Sequence, residues 1–366
     1  MITSILVFIL VLSVLVLVHE FGHYWTAKKN GILVEEFGFG LPPRVFGRKI
    51  GETMYSINLL PFGGFVKLHG EMEEEGITNP NRAFLNKKKR VRILVVVAGV
   101  VMNFLLAVVC FAIVYSFSGI PRDTHKVKVL DVTAATPAQV SGILSGDIIK
   151  SVDGTNITKA DEFISYVDSK KGKKVVFEIE RDSKNLKVTT TPRENPPAGE
   201  GPLGVVITNT EIYFPPVYQR PFYGIYYGFK ESIFWGKTII IGFASLFQNL
   251  FRGEVPRDIA GPVGIFAITT QAAKVGAISV VNFIGILSVN LAILNILPIP
   301  ALDGGRLLFI LIEGVIGKKI IPKIEAAIHS VGFVLLILLL IAITIHDVKQ
   351  VVSAGGIANF LNSFLK

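Results

Sequence analysis

The chain has 366 residues, of which 51% are hydrophobic and 18% charged, and its formal net charge is +9. The apolar residues are concentrated in long stretches, which excludes an ordinary soluble domain. Basic residues border these stretches, as in Lys87–Arg92, so the positive charge indicates membrane orientation and anionic lipid. We therefore predict no nucleic-acid partner. The single cysteine, Cys110, excludes an intrachain disulfide.

Four apolar stretches can each supply the roughly 20 residues that cross about 30 Å of hydrocarbon. They are residues 1–18, 93–121, 275–302 and 326–345. Three of them contain no charged side chain, and the last contains only His329. The first lacks a positively charged leader and is followed by His19 and Glu20 in place of a small-residue cleavage site. We interpret it as a retained transmembrane helix and not as a signal peptide.

The distribution of Lys and Arg predicts the orientation of these segments. Residues 24–92 hold twelve Lys or Arg and residues 304–325 hold four, whereas residues 1–18 have none. Cytoplasmic loops carry the excess of Lys and Arg. We therefore expect a multi-pass protein of the plasma (inner) membrane, with these two basic regions in the cytoplasm and both termini outside.

Residues 238–251 are also uncharged, but fourteen residues are short for a membrane span. If they did cross, Asp303 would emerge on the face opposite His19. We interpret residues 222–251 as a helix that lies along the outer surface with its aromatic and Ile side chains toward lipid.

Residues 126–193 have the pattern of a small soluble domain. Residues 127–132 alternate like a strand, residues 161–169 read as a helix, and a final strand pair follows. This order, and the stretch TPAQVSGILSGDIIKSVDGTNI at residues 136–157, resemble a PDZ domain in its bacterial periplasmic form. Such domains bind extended peptides by strand addition. A spacer without a ligand is the alternative.

His19-Glu20-Phe21-Gly22-His23 is an HExxH motif placed where the first apolar stretch ends. Positions i and i+4 share one face of a helix, so both imidazoles can reach one metal ion while Glu20 lies beside them as a base. Ionisable groups at a membrane boundary are costly unless they are functional. The alternative is a set of ordinary interfacial polar residues that close a helix.

The segment NILPIPALDGG at residues 295–305 supplies a third candidate ligand, Asp303. Catalytic zinc usually has three protein ligands and a water molecule. Two prolines beside an Asp indicate a broken helix, which is tolerated where its backbone lines a cavity. A Pro-terminated helix with an Asp-Gly-Gly turn is the alternative. The predicted topology brings His19 and Asp303 to similar depth on the cytoplasmic side.

HEFGH, the PDZ-like insert, GPVGI at residues 261–265 and NILPIPALDGG together resemble the site-2 protease family of intramembrane zinc metalloproteases, and more narrowly its bacterial RseP-type members. The resemblance covers essentially the whole chain. RseP itself has tandem PDZ domains, whereas this chain has room for one.

The resemblance implies one zinc ion held by His19, His23 and Asp303. It implies that Glu20 is the base that activates water and later delivers the proton to the leaving amine. It also implies that Asn295 helps to place the substrate or to steady the developing oxyanion.

Residues 34–68 are strand-like around Gly- and Pro-containing turns. The family resemblance suggests a β-hairpin that re-enters the membrane beside the metal, with Gly38, Phe39 and Gly40 in contact with the substrate. An exposed strand edge can replace the backbone bonds of a substrate helix as it unwinds. A cytoplasmic hairpin docked only for stability is the alternative.

The predicted activity is hydrolysis of peptide bonds within or beside the transmembrane segments of single-pass membrane proteins in the lipid bilayer. Anti-sigma factors and remnant signal peptides are both candidate substrates on family grounds. A metal-ion transporter or metal-dependent receptor is the rival from another class, but such a site needs no base like Glu20. An inactive scaffold is a second rival, against which the retention of every catalytic residue argues.

The predicted fold is a polytopic α-helical membrane protein of about four transmembrane helices, with a membrane-associated β-hairpin region and one inserted PDZ-like α+β domain. The predicted segments are 1–27 (first helix), 28–92 (hairpin region), 93–121 (second helix), 122–205 (PDZ-like domain), 206–274 (outer linker and amphipathic surface helix), 275–305 (third helix), 306–325 (cytoplasmic connection), 326–346 (fourth helix) and 347–366 (outer tail).

Overall fold

The structure is a computed structural model that describes residues 2–71, 77–197, 199–252, 261–318, 321–353 and 355–356. The chain forms two compact units, Met1–Phe117 with Tyr218–Lys366 and, between them in sequence, Ser118–Val217. Parts of the predicted hairpin region, outer linker, cytoplasmic connection and outer tail lie outside the described residues.

The elements are numbered in chain order through both units. They are α1 (Ile2–Lys29), β1 (Val34–Ile50), β2 (Thr53–Leu68), α2 (Lys89–Ser118), β3 (Ile120–Val132), α3 (Pro137–Val140), β4 (Ile148–Val152), β5 (Thr155–Asn156), α4 (Ala160–Ser169), β6 (Val175–Arg181), β7 (Lys184–Thr190), β8 (Val205–Tyr213), α5 (Arg220–Phe251), α6 (Pro262–Val275), α7 (Ala277–Ile296), α8 (Asp303–Ile316) and α9 (Pro322–Ser353).

Four helices of the described chain, α1, α2, α7 and α9, are long and apolar enough to cross a membrane. The first two approach each other closely at Gly22, where an added Cβ would lie 2.5 Å from the backbone oxygen of Ala98. Small residues allow such backbone approach between membrane helices, where packing replaces the hydrophobic effect as the driving force. Gly22 of the HExxH motif therefore sets the spacing between α1 and α2.

The predicted third helix, residues 275–305, is broken within the NILPIPALDGG segment, as its two prolines indicated. α7 ends at Ile296, a turn follows, and a new helix, α8, begins at Asp303. Pro298 and Pro300 lie in this turn because neither can donate a backbone hydrogen bond to a continuing helix. Gly304 folds α8 back on the end of α7, since a Cβ there would lie 2.0 Å from the carbonyl oxygen of Leu297.

Residues 306–316, expected as part of a cytoplasmic connection, belong to α8 and are tied to α2. Arg92 Nη1 donates to Glu313 Oε2 at 2.6 Å, and both side chains are 3% exposed. Lys89 Nζ donates to the Glu313 carbonyl oxygen at 2.6 Å. A buried charge pair tolerates the loss of neither partner, so α8 is fixed against α2.

The helix α5 approaches α2 closely at two glycines, and its expected position along the outer surface of the membrane stays a prediction. Added Cβ atoms at Gly224 and Gly228 would lie 2.6 Å from the Ala112 carbonyl oxygen and 2.7 Å from the Val108 carbonyl oxygen, respectively. Gly228 lies one turn after Gly224 in α5, whereas its neighbour Val108 lies one turn before Ala112 in α2. The two helices are therefore antiparallel neighbours.

The motif GPVGI forms the start of α6, whose first free backbone donors point at a buried carboxylate. Asp347 of α9, which is 0% exposed, accepts from the Gly261 N–H at 3.3 Å and from the Gly264 N–H at 2.9 Å. An acidic group at a helix N-terminus satisfies these donors and complements the helix dipole. α9 extends beyond the predicted 326–346 because Asp347 belongs to this contact.

The strands β1 and β2 form an antiparallel sheet in which β1 is paired on both sides. Phe37 pairs with Tyr55 and also with Val66, and Gly38 pairs with Ser56 and with Phe65. Across the sheet, the segments follow the order 44–50, 53–58, 34–41 and 60–68. The last of these is an edge among the described strands, and it lies against α1.

The unit Ser118–Val217 contains a six-stranded sheet in the order β7-β6-β4-β3-β8, with β5 paired to β4. The predicted PDZ-like domain, 122–205, ended one strand early, because β8 pairs with β3 from Ile120↔Tyr213 to Val132↔Val205. β8 is an edge strand. Its Val205 and Ile207 border a groove of about 330 Å³ that α4 lines from the other side.

A half-buried ion pair links β6 to the turn before β4 in this second unit. Arg181 binds Asp147 through two hydrogen bonds, of 2.7 and 2.8 Å, and Asp147 also accepts from the Leu144 N–H. Burial alone would raise the pKa of Asp147, but the contacts with Arg181 outweigh it and lower the pKa. The resulting stability is present above the ordinary carboxyl pKa and is lost as pH falls through the lowered value.

Candidate metal centre

His19 and His23 lie one turn apart near the C-terminal end of α1, so both imidazoles leave the same face of the helix. Asp303 reaches them from the first position of α8. The helix break after Ile296 therefore has a direct use. It turns the chain so that a helix N-terminus, and not the side of a continuous helix, presents the carboxylate.

The three side chains converge on one point. Asp303 Oδ2 lies 3.1 Å from His19 Nε2 and 3.2 Å from His23 Nε2, and the two Nε2 atoms are 3.2 Å apart. The structure thus brings together the residues that the two sequence motifs nominated as ligands. Among the described His, Cys, Asp and Glu residues, this is the group with metal-binding geometry.

The chemistry of these donors fits zinc. Asp303 Oδ2 is buried and has no hydrogen-bond donor among the described residues. His23 Nδ1 contacts the Val95 carbonyl oxygen at 2.8 Å, so this nitrogen carries the proton and Nε2 keeps a free lone pair. A buried carboxylate without a donor requires a cation. Two imidazoles and one carboxylate form a ligand set typical of catalytic zinc.

Helix α2 forms the wall behind the histidines. An added Cβ at Gly99 would lie 2.5 Å from His23 Nε2 and 2.6 Å from His19 Cε1. One turn away, Val95 supplies the carbonyl oxygen that orients His23. The absence of a side chain at position 99 therefore makes room for both imidazole rings.

The ligands open into a cavity of about 250 Å³ that Glu20 also lines. Phe65 and Leu68 of β2 form one wall and Phe84 another. Arg306, one turn after Asp303 on α8, completes the lining and pairs with Glu71. The cavity thus joins the metal ligands, two carboxylates that are not ligands (Glu20 and the Arg306-paired Glu71), and a strand edge.

The turn that carries Asp303 is held by α9. Ala301 has φ +72°, a left-handed conformation that is unfavourable for a residue with a Cβ. Its N–H donates to His329 Nδ1 at 2.9 Å. Gly332, one turn further, lies so close to Pro300 that a Cβ there would be 2.4 Å from the proline Cβ. His329, the only ionisable side chain of its apolar stretch, thus stabilises the turn.

Of the four residues that the sequence predicted to bind substrate, one lies at the metal centre and three lie in the β-sheet. Asn295 Nδ2 lies 3.4 Å from His19 Nε2, at the metal centre. Gly38, Phe39 and Gly40 do not line the cavity. Gly38 and Phe39 lie in the central segment of the sheet and are paired on both sides, and contact of these three residues with the substrate stays a prediction.

Sequence reasoning missed several residues that shape this site. Asn103 lies 3.2 Å from His19 Nδ1, and Ser288 Oγ donates to the Asn103 carbonyl oxygen at 2.8 Å. A polar amide in an apolar stretch without charged side chains is a signal for function, and it could have identified Asn103. His329, the only ionisable side chain of its apolar stretch, carried a similar signal, whereas Gly99 carried none.

Three comparisons place these features among known proteins. The family model for peptidase family M50 matches residues 7–339. A protein of Clostridium perfringens assigned as a zinc metalloprotease is 40% identical over 347 residues, which are 93% of this chain and 97% of that protein. The zinc metalloprotease RasP of Geobacillus kaustophilus is 30% identical over 425 residues, covering 95% of this chain and 98% of RasP.

Among solved structures, the PDZ domain of an SdrC-like protein from Listeria monocytogenes is similar to part of the chain. The sequence identity is 28% and the TM-score 0.21, and the match covers 22% of this chain and 86% of that domain.

Proposed function

The chain belongs to peptidase family M50 and is a zinc metalloprotease of the membrane, and we propose that it hydrolyses peptide bonds within or beside the transmembrane segments of single-pass membrane proteins. The observation that carries this proposal is the position of the cavity. His19, Glu20 and His23 line it at the end of an apolar helix, together with Asp303. A substrate segment in the bilayer meets such a site without leaving the membrane.

His19, His23 and Asp303 would hold the zinc ion. Zinc supplies a Lewis acid that activates water and polarises the scissile carbonyl. Glu20 lies in the same cavity but outside the ligand set. We assign it the proton transfers, in which its carboxylate takes a proton from the attacking water and returns it to the leaving amine.

The edge segment 60–68 of the sheet is the proposed substrate-binding strand. Its Phe65 and Leu68 line the cavity, and no described strand pairs with its outer side. A transmembrane helix satisfies its own backbone, so cleavage requires that these hydrogen bonds be replaced when the helix unwinds. An extended substrate added along segment 60–68 makes that replacement beside Glu20.

Asn295 is proposed to act on the substrate, because its amide lies at the metal centre without belonging to the ligand set. We expect Asn295→Ala to reduce turnover by about 100- to 1,000-fold, the range seen when one polar group that stabilises an oxyanion is removed. Zinc content per chain should stay near that of the unsubstituted protein. A parallel loss of zinc and turnover would instead make Asn295 a support of the metal site.

We propose that both termini lie outside the plasma membrane and that the basic regions lie inside, since Lys and Arg crowd residues 24–92 and 304–325. Reporter tags at each terminus should report the outside, and a tag near Glu73, which lies outside the described residues, should report the cytoplasm. A cytoplasmic C-terminus would contradict this arrangement.

The test of the proposed activity uses the purified full chain in lipid nanodiscs and a single-pass substrate with a fluorescent label at each end. Cleavage should stop with a zinc chelator and return when zinc is restored. Mass spectrometry of the fragments locates the cut. Zinc-dependent cleavage restricted to segments far from the membrane, or none at all, would contradict the proposal. Anti-sigma factors and remnant signal peptides are the first natural substrates to compare.

A further inference from the structure

A single amide is buried against the back of His19. Asn103 of α2 is 0% exposed, and its Nδ2 lies 3.2 Å from His19 Nδ1. Its Oδ1 is buried and has no donor among the described residues. Its backbone is fixed separately by the hydroxyl of Ser288. Among the described residues, the polar partner of the Asn103 side chain is thus His19 Nδ1, the ring nitrogen that faces away from Asp303.

The proton on that ring nitrogen determines whether His19 can bind a metal ion. His19 Nε2 faces Asp303 Oδ2 and His23 Nε2, so Nε2 must offer its lone pair. A neutral imidazole with a free Nε2 carries its proton on Nδ1. A buried N–H without an acceptor is destabilising, because it has lost its hydrogen bond to water. His23 meets the same requirement with the Val95 carbonyl oxygen.

We propose that Asn103 is a positioning residue whose side-chain oxygen accepts the proton of His19 Nδ1 and so holds His19 in the tautomer that binds zinc. The two ends of an amide have nearly the same shape, so a half-turn of the side chain exchanges them. In the turned orientation, Asn103 Oδ1 accepts the proton of His19 Nδ1. The Asn103 amide N–H then no longer faces the His19 Nδ1–H at 3.2 Å. The inference rests on the zinc centre and does not depend on the cleavage reaction.

The test is the zinc affinity of the purified full chain, measured by competition with a fluorescent chelator in the absence of substrate. Asn103→Leu keeps the approximate shape but removes the acceptor, and it should raise the dissociation constant for zinc about 10- to 100-fold, as for other partners of metal-binding histidines. Asn103→Asp supplies an oxygen at both ends and should hold zinc as tightly as the unsubstituted protein. Ser288→Ala is the matched control, because it removes a hydrogen bond to the Asn103 backbone and leaves the amide in place.

Nitrogen-15 NMR of the zinc-loaded, histidine-labelled protein gives a second readout, in which Asn103 itself is left unchanged. The His19 signal, assigned by comparison with His19→Gln, should show a protonated Nδ1 and a metal-bound Nε2. Unchanged zinc affinity in Asn103→Leu would overturn the proposal. So would equal losses in Asn103→Asp and Asn103→Leu at unchanged thermal stability, or a His19 ring bound to zinc through Nδ1.

Discussion

A chain in which Glu20 is replaced by Gln should keep its zinc ion and lose peptide-bond cleavage. Glu20 lines the cavity of the metal centre but is not one of the three converging ligands. Gln has nearly the same size, but its amide cannot take up the proton of the attacking water. Removal of a general base lowers turnover by about 10²- to 10⁴-fold. Zinc per chain by atomic emission and cleavage by gel mobility measure the two results separately.

A matched control for this substitution is Glu52→Gln. Glu52 pairs with Arg82 at the protein surface and does not line the cavity, so we expect cleavage near the unsubstituted rate. Appreciable turnover by Glu20→Gln would remove Glu20 from the proposed mechanism. Loss of zinc from Glu20→Gln would instead identify the carboxylate as part of the metal site.

Gly99→Ala should disable the metal centre although no ligand is changed. The added methyl group would lie 2.5 Å from His23 Nε2 and 2.6 Å from His19 Cε1, which is closer than non-bonded atoms can approach. α2 is a long packed helix, so the imidazole rings must move instead. Metal sites tolerate displacements of about 0.5 Å, and we expect zinc affinity and turnover to fall on the order of 100-fold. Chelator competition and cleavage rates measure these losses.

The control for Gly99→Ala is the same substitution at Gly314. That glycine also lies in a helix, but an added Cβ would meet no atom within 4 Å. Gly314→Ala should therefore leave zinc affinity and turnover unchanged. Equal zinc affinity in Gly99→Ala and Gly314→Ala would contradict the prediction. It would mean that the two imidazole rings accommodate the added methyl group without losing zinc.

The ligand set could be predicted from the sequence because its signals are local. His19 and His23 are spaced for one helix face, and Asp303 is the only acid at the end of its apolar stretch. The close approach of Gly99 had no such signal, because it depends on how α2 packs against α1. Likewise, the start of a separate helix at Asp303 depends on contacts between Gly304 and the end of α7.

Strand pairing was the least predictable feature. The alternation in residues 34–68 predicts strands but not which segment lies at the edge, and a central position leaves Gly38 and Phe39 without free backbone groups. β8 was missed because its polar residues, such as Asn209 and Glu211, hide the apolar alternation, and its pairing with β3 is distant in sequence. The position of α5 beside α2 follows from Gly224 and Gly228, which look like ordinary glycines in an apolar stretch.

The origin of the metal ligands in α1 and α8 has a consequence for biosynthesis. His19 and His23 leave the ribosome early, whereas Asp303 follows 280 residues after His23. At roughly 5–20 residues per second, that interval is about 14–56 s. During this time the nascent chain has two of its three ligands, and an incomplete chain released before α8 never acquires the third. The complete set of three ligands is thus deferred until most of the polypeptide has been synthesised.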